Sequence, residues 1–372
     1  MSVTIIDEYN NTEDPEELII KITKKITINS KATNLISVFQ WIGLAEKILK
    51  RYSDFDEKLI INLKYNLATA LIEKDDFNKA KKLLKDVIEF YSKQNKPDKK
   101  KISYYFRIMA MTLKSMGDYE NARTNILKAM EMAKNNYNLE YAEILYRLGS
   151  IKEAEENFKK ALEISTRKNG KMSISTAPIL SSYGIFLLSI GKKDLAIENM
   201  NNAYSIFKDT LGEESLYTVR VSSNISNFLY TEKKYAEAFE KMKAAFSMIK
   251  KIKGDDNKET LVSKNNCARM LVMMKKYGEA IDYLKNPVVF TDNKEKMVLL
   301  AYDKTIMEAP EVFILKTGRS ALRTLKVLER KNIPIIEHAL FTRYILENCC
   351  QFEPIPQRYW PVAAILLRDI IW

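Results

Sequence analysis

Between residues 61 and 287 one short wording of apolar and polar positions returns six times. It centres on an alanine, at Ala80, Ala122, Ala154, Ala196, Ala238 and Ala280, so the steps between copies are 42, 32, 42, 42 and 42 residues. Four residues after each alanine stands a large apolar residue: Leu84, Ile126, Phe158, Met200, Met242 and Leu284. Three further on comes a small or compact one: Val87, Ala129, Ala161, Ala203, Ala245 and Pro287. Residues separated by three, four and seven share a helical face, so each copy predicts an amphipathic helix with one buried stripe.

Twelve residues before each alanine lies another small residue (Ala68, Ala110, Ala142, Gly184, Ser226, Ala268), followed three later by Leu71, Leu113, Leu145, Leu187, Leu229 and Leu271. A second helix is implied, and small residues on both let two backbones approach closely. Between the helices, Met116-Gly117-Asp118, Leu148-Gly149-Ser150 and Ile190-Gly191-Lys192 place Gly where a helix must end. Between successive pairs, Gly170, Gly212 and Gly254 stand in register, as do Thr176, Thr218 and Thr260, which predicts Gly closing one helix and Thr capping the next.

These columns resemble the tetratricopeptide repeat family, and the 42-residue period resembles kinesin-light-chain-type units. The resemblance implies an all-α fold, a right-handed α-solenoid of antiparallel helix pairs, ending in a helical C-terminal extension. Residues 61–287 are then an array of six units. Residues 1–13 are expected to be an acidic flexible start, and residues 14–60, with Phe39 to Leu49, a degenerate first repeat. Residues 288–372 follow as a Pro-interrupted helical extension or cap. In this family the first helix of each pair lines a concave groove. The resemblance carries Tyr65, Asn66, Thr69, Arg107, Met111, Glu143, Arg147, Arg220, Asn224, Asn227, Asn265, Asn266 and Arg269 onto that face. Asn suits an extended peptide, since its amide offers donors and an acceptor to backbone groups. The lysine-and-asparagine clamp of chaperone-binding members is unmatched, because Tyr65, Thr69 and Ile108 hold those places. The implied function is a scaffold or adaptor for a peptide or helical segment of another protein. The order of motifs also resembles the mitochondrial tetratricopeptide proteins that act on respiratory complex III.

At the N-terminal end, Asp14-Pro15-Glu16-Glu17 reads as a helix start. Beyond residue 287 the repeat wording stops and prolines interrupt four expected helices: Lys294 to Met307, Gly318 to Lys331, Ile335 to Cys349 and Trp360 to Ile371. The apolar ending ILLRDIIW is expected to dock on the array or on a partner.

Charge widens the range of partners. A formal net charge of +12 admits an acidic protein, and RNA as a weaker alternative that lacks a base-reading code per repeat. Paired lysines at Lys192-Lys193, Lys233-Lys234 and Lys275-Lys276 predict a basic ridge at the turns, or a plain solvated edge. Chemistry narrows the range again. The single histidine, His338, has no nucleophile in a sharp turn beside it, and no phosphate-cradling loop, metal-spaced cluster or cofactor motif occurs. Three cysteines cannot staple a fold. Cys267 falls on the repeat core, while the Cys349-Cys350 pair reads as buried helix residues or as a redox or metal-scavenging pair. A non-enzymatic protein without cofactor or metal is expected. No run approaches a membrane span, and no signal or transit sequence is visible. A cytoplasmic protein is therefore expected, or a mitochondrial one if the complex III resemblance holds.

Overall fold

The computed structural model describes residues 43, 45–49, 56–133 and 137–371. The expected acidic start, the Asp14-Pro15 helix start and most of the degenerate first repeat lie outside them. Within that first repeat, Ala45 and Ile48 are buried in the core of the following helices. The chain divides into two compact units, Met1–Lys192 and Lys193–Trp372.

The first unit holds helices α1 (Glu57–Glu73), α2 (Phe77–Ser92), α3 (Lys99–Ser115), α4 (Tyr119–Ala133), α5 (Asn138–Arg147), α6 (Ile151–Asn169) and α7 (Ala177–Ser189). Their stripes meet as the spacing requires, with Leu67, Leu71, Ala80, Leu84, Ala110, Leu113, Ala122 and Ile126 in one cluster. Phe158 is among the largest fully buried side chains. Its ring centroid lies 5.5 Å from that of Tyr183 and 5.1 Å from that of Phe186.

The second unit continues with α8 (Lys193–Leu211), α9 (Leu216–Thr231), α10 (Tyr235–Lys253), α11 (Lys258–Met273) and the short α12 (Tyr277–Ile281). The last second helix is short: i→i−3 bonds carry the chain from Asp282 to Leu284, and Asn286, before Pro287, stands at φ +46°. Leu284 stays buried beyond the helix end.

Each pair turns in the same way. Asp76, Asp118, Ser150, Lys192, Lys234 and Lys276 donate their backbone N–H, all at 2.9 Å, to the carbonyls of Leu71, Leu113, Leu145, Leu187, Leu229 and Leu271. This is the six-residue closure that needs a left-handed residue just before the donor. Gly117, Gly149 and Gly191 fill that place in three turns, but Lys233 and Lys275 adopt it at φ +60° and +61°. A Cβ is disfavoured there, and both side chains are exposed. Lys233→Gly and Lys275→Gly should each raise stability by about 0.5–1 kcal/mol, measured by chemical denaturation. A loss of stability in both would contradict this account of the turn.

The connectors depart from expectation. Thr176, Thr218 and Thr260 do not accept from helix N–H groups; their buried hydroxyls donate to the carbonyls of Gly170, Gly212 and Gly254 at 2.9, 2.8 and 2.8 Å. For the last two the reason is position, since α9 and α11 begin after Ser215 and Asn257, leaving Thr218 and Thr260 inside the first turn.

The extension expected to be helical from 288 to 372 is a mixed α/β structure. Strands β1 (Val288–Asp292), β2 (Lys296–Ala301), β3 (Glu311–Thr317) and β4 (Ile335–Glu337) form a sheet in the order β3-β2-β1-β4. The first three are antiparallel neighbours, whereas β4 runs parallel to β1. The expected helix from Lys294 to Met307 is replaced by the β1–β2 turn, with Asn293 and Lys294 at φ +49° and +62°, and by β2. The expected helix from Ile335 begins only after β4. Helices α13 (Gly318–Glu329), α14 (Ala339–Asn348) and α15 (Trp360–Ile371) fall where helices were expected. Val288, Phe290, Val298, Leu300 and Val312 pack with Phe341, Ile345, Ala363 and Leu367, so the last helix docks on this sheet through Ala363 and Leu367, while Ile365 stays exposed. The alternate residues Val289, Met297, Leu299 and Ile314 are equally buried, and α13 lies against β2 and β3. A sheet covered on both faces shows continuous apolar runs, not alternation. The period of two that marks a half-buried strand is therefore missing from its sequence.

Within this unit α13 also lies against α12: a Cβ on Gly278 would stand 3.3 Å from Val327 Cγ1, and Lys331 pairs with Asp282 at 2.8 Å. Cys349 is half-buried and Cys350 exposed, both just past the end of α14, so neither is the buried helix residue expected. Cys267 is fully buried, and burial pushes its thiol up to about 12. His338 caps α14, its Nδ1 accepting from the Phe341 N–H at 3.2 Å.

Candidate protein-binding groove

Helical spacing brings the expected groove residues onto the first helix of each pair, and the geometry shows what each of them touches. In the first unit the Tyr65 hydroxyl meets that of Tyr104 at 3.3 Å, and burial, ahead of that bond, pushes the Tyr65 phenol well up. Arg107 donates through Nε to Glu140 at 2.6 Å, with its guanidinium 5.7 Å from the Tyr137 ring centre. Lys114 pairs with Glu143, whose other oxygen accepts from Ser182 at 2.7 Å. Asn66 turns its amide to the Asn62 carbonyl at 2.8 Å, and Thr69 donates to the Asn66 carbonyl. Met111 is half-buried, and Arg147 is exposed with its guanidinium 5.7 Å from the Tyr146 ring centre. Beside the Arg107–Glu140 pair a cleft of about 540 Å³ opens, lined also by Tyr137, Lys168, Ser175 and Ile179.

In the second unit Arg220 grips Glu259 with both ends of its fork, at 2.6 and 2.8 Å, and Lys253 adds a contact at 2.9 Å. Burial raises the Glu259 carboxyl, but the bonds and charges of Arg220 and Lys253 outweigh it and hold it down to about 2. Asn224 and Asn266 are half-buried, Asn227 is exposed and Asn265 is 9% exposed. Arg269, expected to face a partner, is turned to the chain's own sheet. Its Nη2 meets Glu311 of β3 at 2.7 Å, and Phe352, at φ +68°, places its ring 5.6 Å from the guanidinium. The sequence reading missed both contacts because they come from an α/β structure it did not foresee.

Many of the polar groove residues therefore tie neighbouring first helices together. The partners lie 39 residues apart for Tyr65 and Tyr104, 33 for Arg107 and Glu140, and 39 for Arg220 and Glu259, so each tie spans one repeat. The lysine ridge is likewise partly neutralised: Lys192 pairs with Glu155, Lys193 with Glu232 and Lys276 with Glu279.

The Glu259 cluster gives a pH dependence. Its carboxyl titrates lower in the folded chain than in the unfolded one, so the stabilisation is full above about pH 4.5 and fades as pH falls towards 2. Allowing for the exposure of Arg220, the cluster contributes about 1–2 kcal/mol. Glu259→Gln should lose that amount at neutral pH, and its stability should fall less steeply between pH 4.5 and 2. Parallel acid profiles for the two proteins would contradict it.

Comparison with known proteins identifies the repeats that carry these helices. Two family descriptions, both tetratricopeptide repeat, match the chain, one over residues 135–209 and 217–285 and the other over residues 61–94 and 104–136. No curated protein matches it significantly. Among solved structures, the apo form of RapI is similar at 15% identity, covering 71% of this chain and 94% of that one, with a TM-score of 0.50. A putative kinesin light chain of Podosopora anserina with nearly identical repeats is 14% identical, covers 54% of this chain and 99% of that one, and has a TM-score of 0.44. The C-terminal domain of EscU is 22% identical over 27% of this chain and 91% of that one, with a TM-score of 0.25. Among the described residues no helix is long and apolar enough to cross a membrane.

Proposed function

The chain belongs to the tetratricopeptide repeat family through the repeats between residues 61 and 285, and from that premise we propose that it is a non-catalytic scaffold binding a peptide or helical segment of another protein along its first-helix faces. One observation supports this reading above others: after the ties between neighbours are made, mixed polar and apolar side chains stay exposed in the groove columns. These are Arg147 and Ile185 in one unit, and Asn227 and Val262 in the other. Apolar and Arg groups anchor a partner, and Asn completes the hydrogen bonds of its backbone.

The test is quantitative copurification from the protein's own cells, with and without ribonuclease. A protein partner recovered with the natural chain should be lost with Asn227→Arg/Val262→Arg and kept with Lys160→Glu/Lys241→Glu on the second helices. Retention by the groove variant would remove this reading, and loss on ribonuclease treatment would replace it with RNA binding. Complex III subunits in the recovered set would add the finer role of a mitochondrial assembly or maintenance factor.

A further inference from the structure

A cleft of about 670 Å³ lies in the first unit, away from the groove columns, where the start of α1, the end of α2 and the start of α3 converge. Lys58, Lys93, Lys96 and Lys101 line it from these three segments, with Phe90 and Tyr91 as an aromatic wall. Its carboxylates are largely committed elsewhere. Asp98 caps α3, accepting from the Lys100 and Lys101 N–H groups at 3.0 and 3.1 Å, and Glu89 takes Lys93 at 2.7 Å. Glu57 is the other acid near Lys93. Lys58 and Lys96 have no carboxylate partner among the described residues.

Lys101 is held in place. Its Nζ donates to the Tyr91 hydroxyl at 2.7 Å and stands 4.0 Å above the ring, while that buried hydroxyl donates on to Asn62 at 3.3 Å. A fixed ammonium and two more without carboxylate partners among the described residues favour negative charge at one place, while Asp56 and Asp98 already cap the N-terminal ends of α1 and α3. Lysines without an arginine fork act as point charges, which suits the spread oxygens of a phosphoryl group better than the flat, two-pronged carboxylate.

We propose that this cleft binds a phosphate-bearing ligand. The site is independent of the groove reading, because none of its lining residues lies in the groove columns on which that reading rests. Pyrophosphate is the probe, titrated into the full chain by calorimetry at ionic strength held constant with sodium chloride. Saturable binding is expected, weakened about tenfold or more in Lys58→Gln/Lys96→Gln, since two charge-assisted bonds are lost, and unchanged in Lys160→Gln/Lys241→Gln. Circular dichroism should show equal helix content in all three proteins. ATP and a phosphoserine peptide are then compared: tighter binding than pyrophosphate by the first identifies a free nucleotide, and by the second a phosphorylated segment. Absence of saturation, or equal weakening by both lysine pairs, would overturn the proposal.

Discussion

Phe158→Ala should cost about 3–5 kcal/mol of stability and lower the melting temperature by about 10 °C. Phe158 is 1% exposed, stacks on Tyr183 and meets Phe186 at 37° between ring planes, so its ring is shared between α6 and α7. Removing it deletes the transfer energy of a whole ring and leaves a void between helices held apart by other aromatic side chains. Those neighbours cannot collapse inward without losing their own contacts. Phe158→Leu, which keeps most of the volume, should cost far less. Denaturation followed by circular dichroism is the measurement, and near-equal midpoints for Phe158→Ala and the natural chain would refute this view of the core.

Ala238→Leu should cost about 1–3 kcal/mol for the opposite reason. Ala238 is fully buried, and its carbonyl accepts the buried Ser226 hydroxyl of α9 at 2.6 Å. That single short bond between side chain and backbone means that the α9 and α10 backbones meet with no layer of large side chains between them. A leucine there has to push the helices apart, and the Ser226 bond is lost with them. Ala236→Leu, two residues earlier and exposed on the same helix, should change little. Equal effects from the two substitutions would show that the repeat column has been misplaced.

Those two positions illustrate what was legible. Phe158 and Ala238 were assigned to a buried stripe from spacing alone, because a helix repeats its faces every few residues and the repeat supplies six independent readings of each column. The turns were legible through Gly117, Gly149 and Gly191, though Lys233 and Lys275 show that the same left-handed place is also held by residues that give no such signal. The groove was legible as a set of positions but not as a surface. Arg107, Arg220 and Arg269 lie on the first helices as expected, yet each is paired to a carboxylate of another element.

The order, register and buried stripes of the helix pairs were determined by the sequence itself, since capping, turn chemistry and helical period act over a few residues and repeat faithfully. Tertiary structure decided whatever depends on groups about 30 to 50 residues apart meeting in space. It turned Arg269 onto Glu311, 42 residues away, drew four lysines from three segments around one cleft, and made strands of apolar runs that a helix would have accepted equally well. Local period cannot distinguish those outcomes. Burial of β1 and β2 on both faces erases the alternation that marks a strand, and an ion pair leaves no spacing rule when its partner lies on another element.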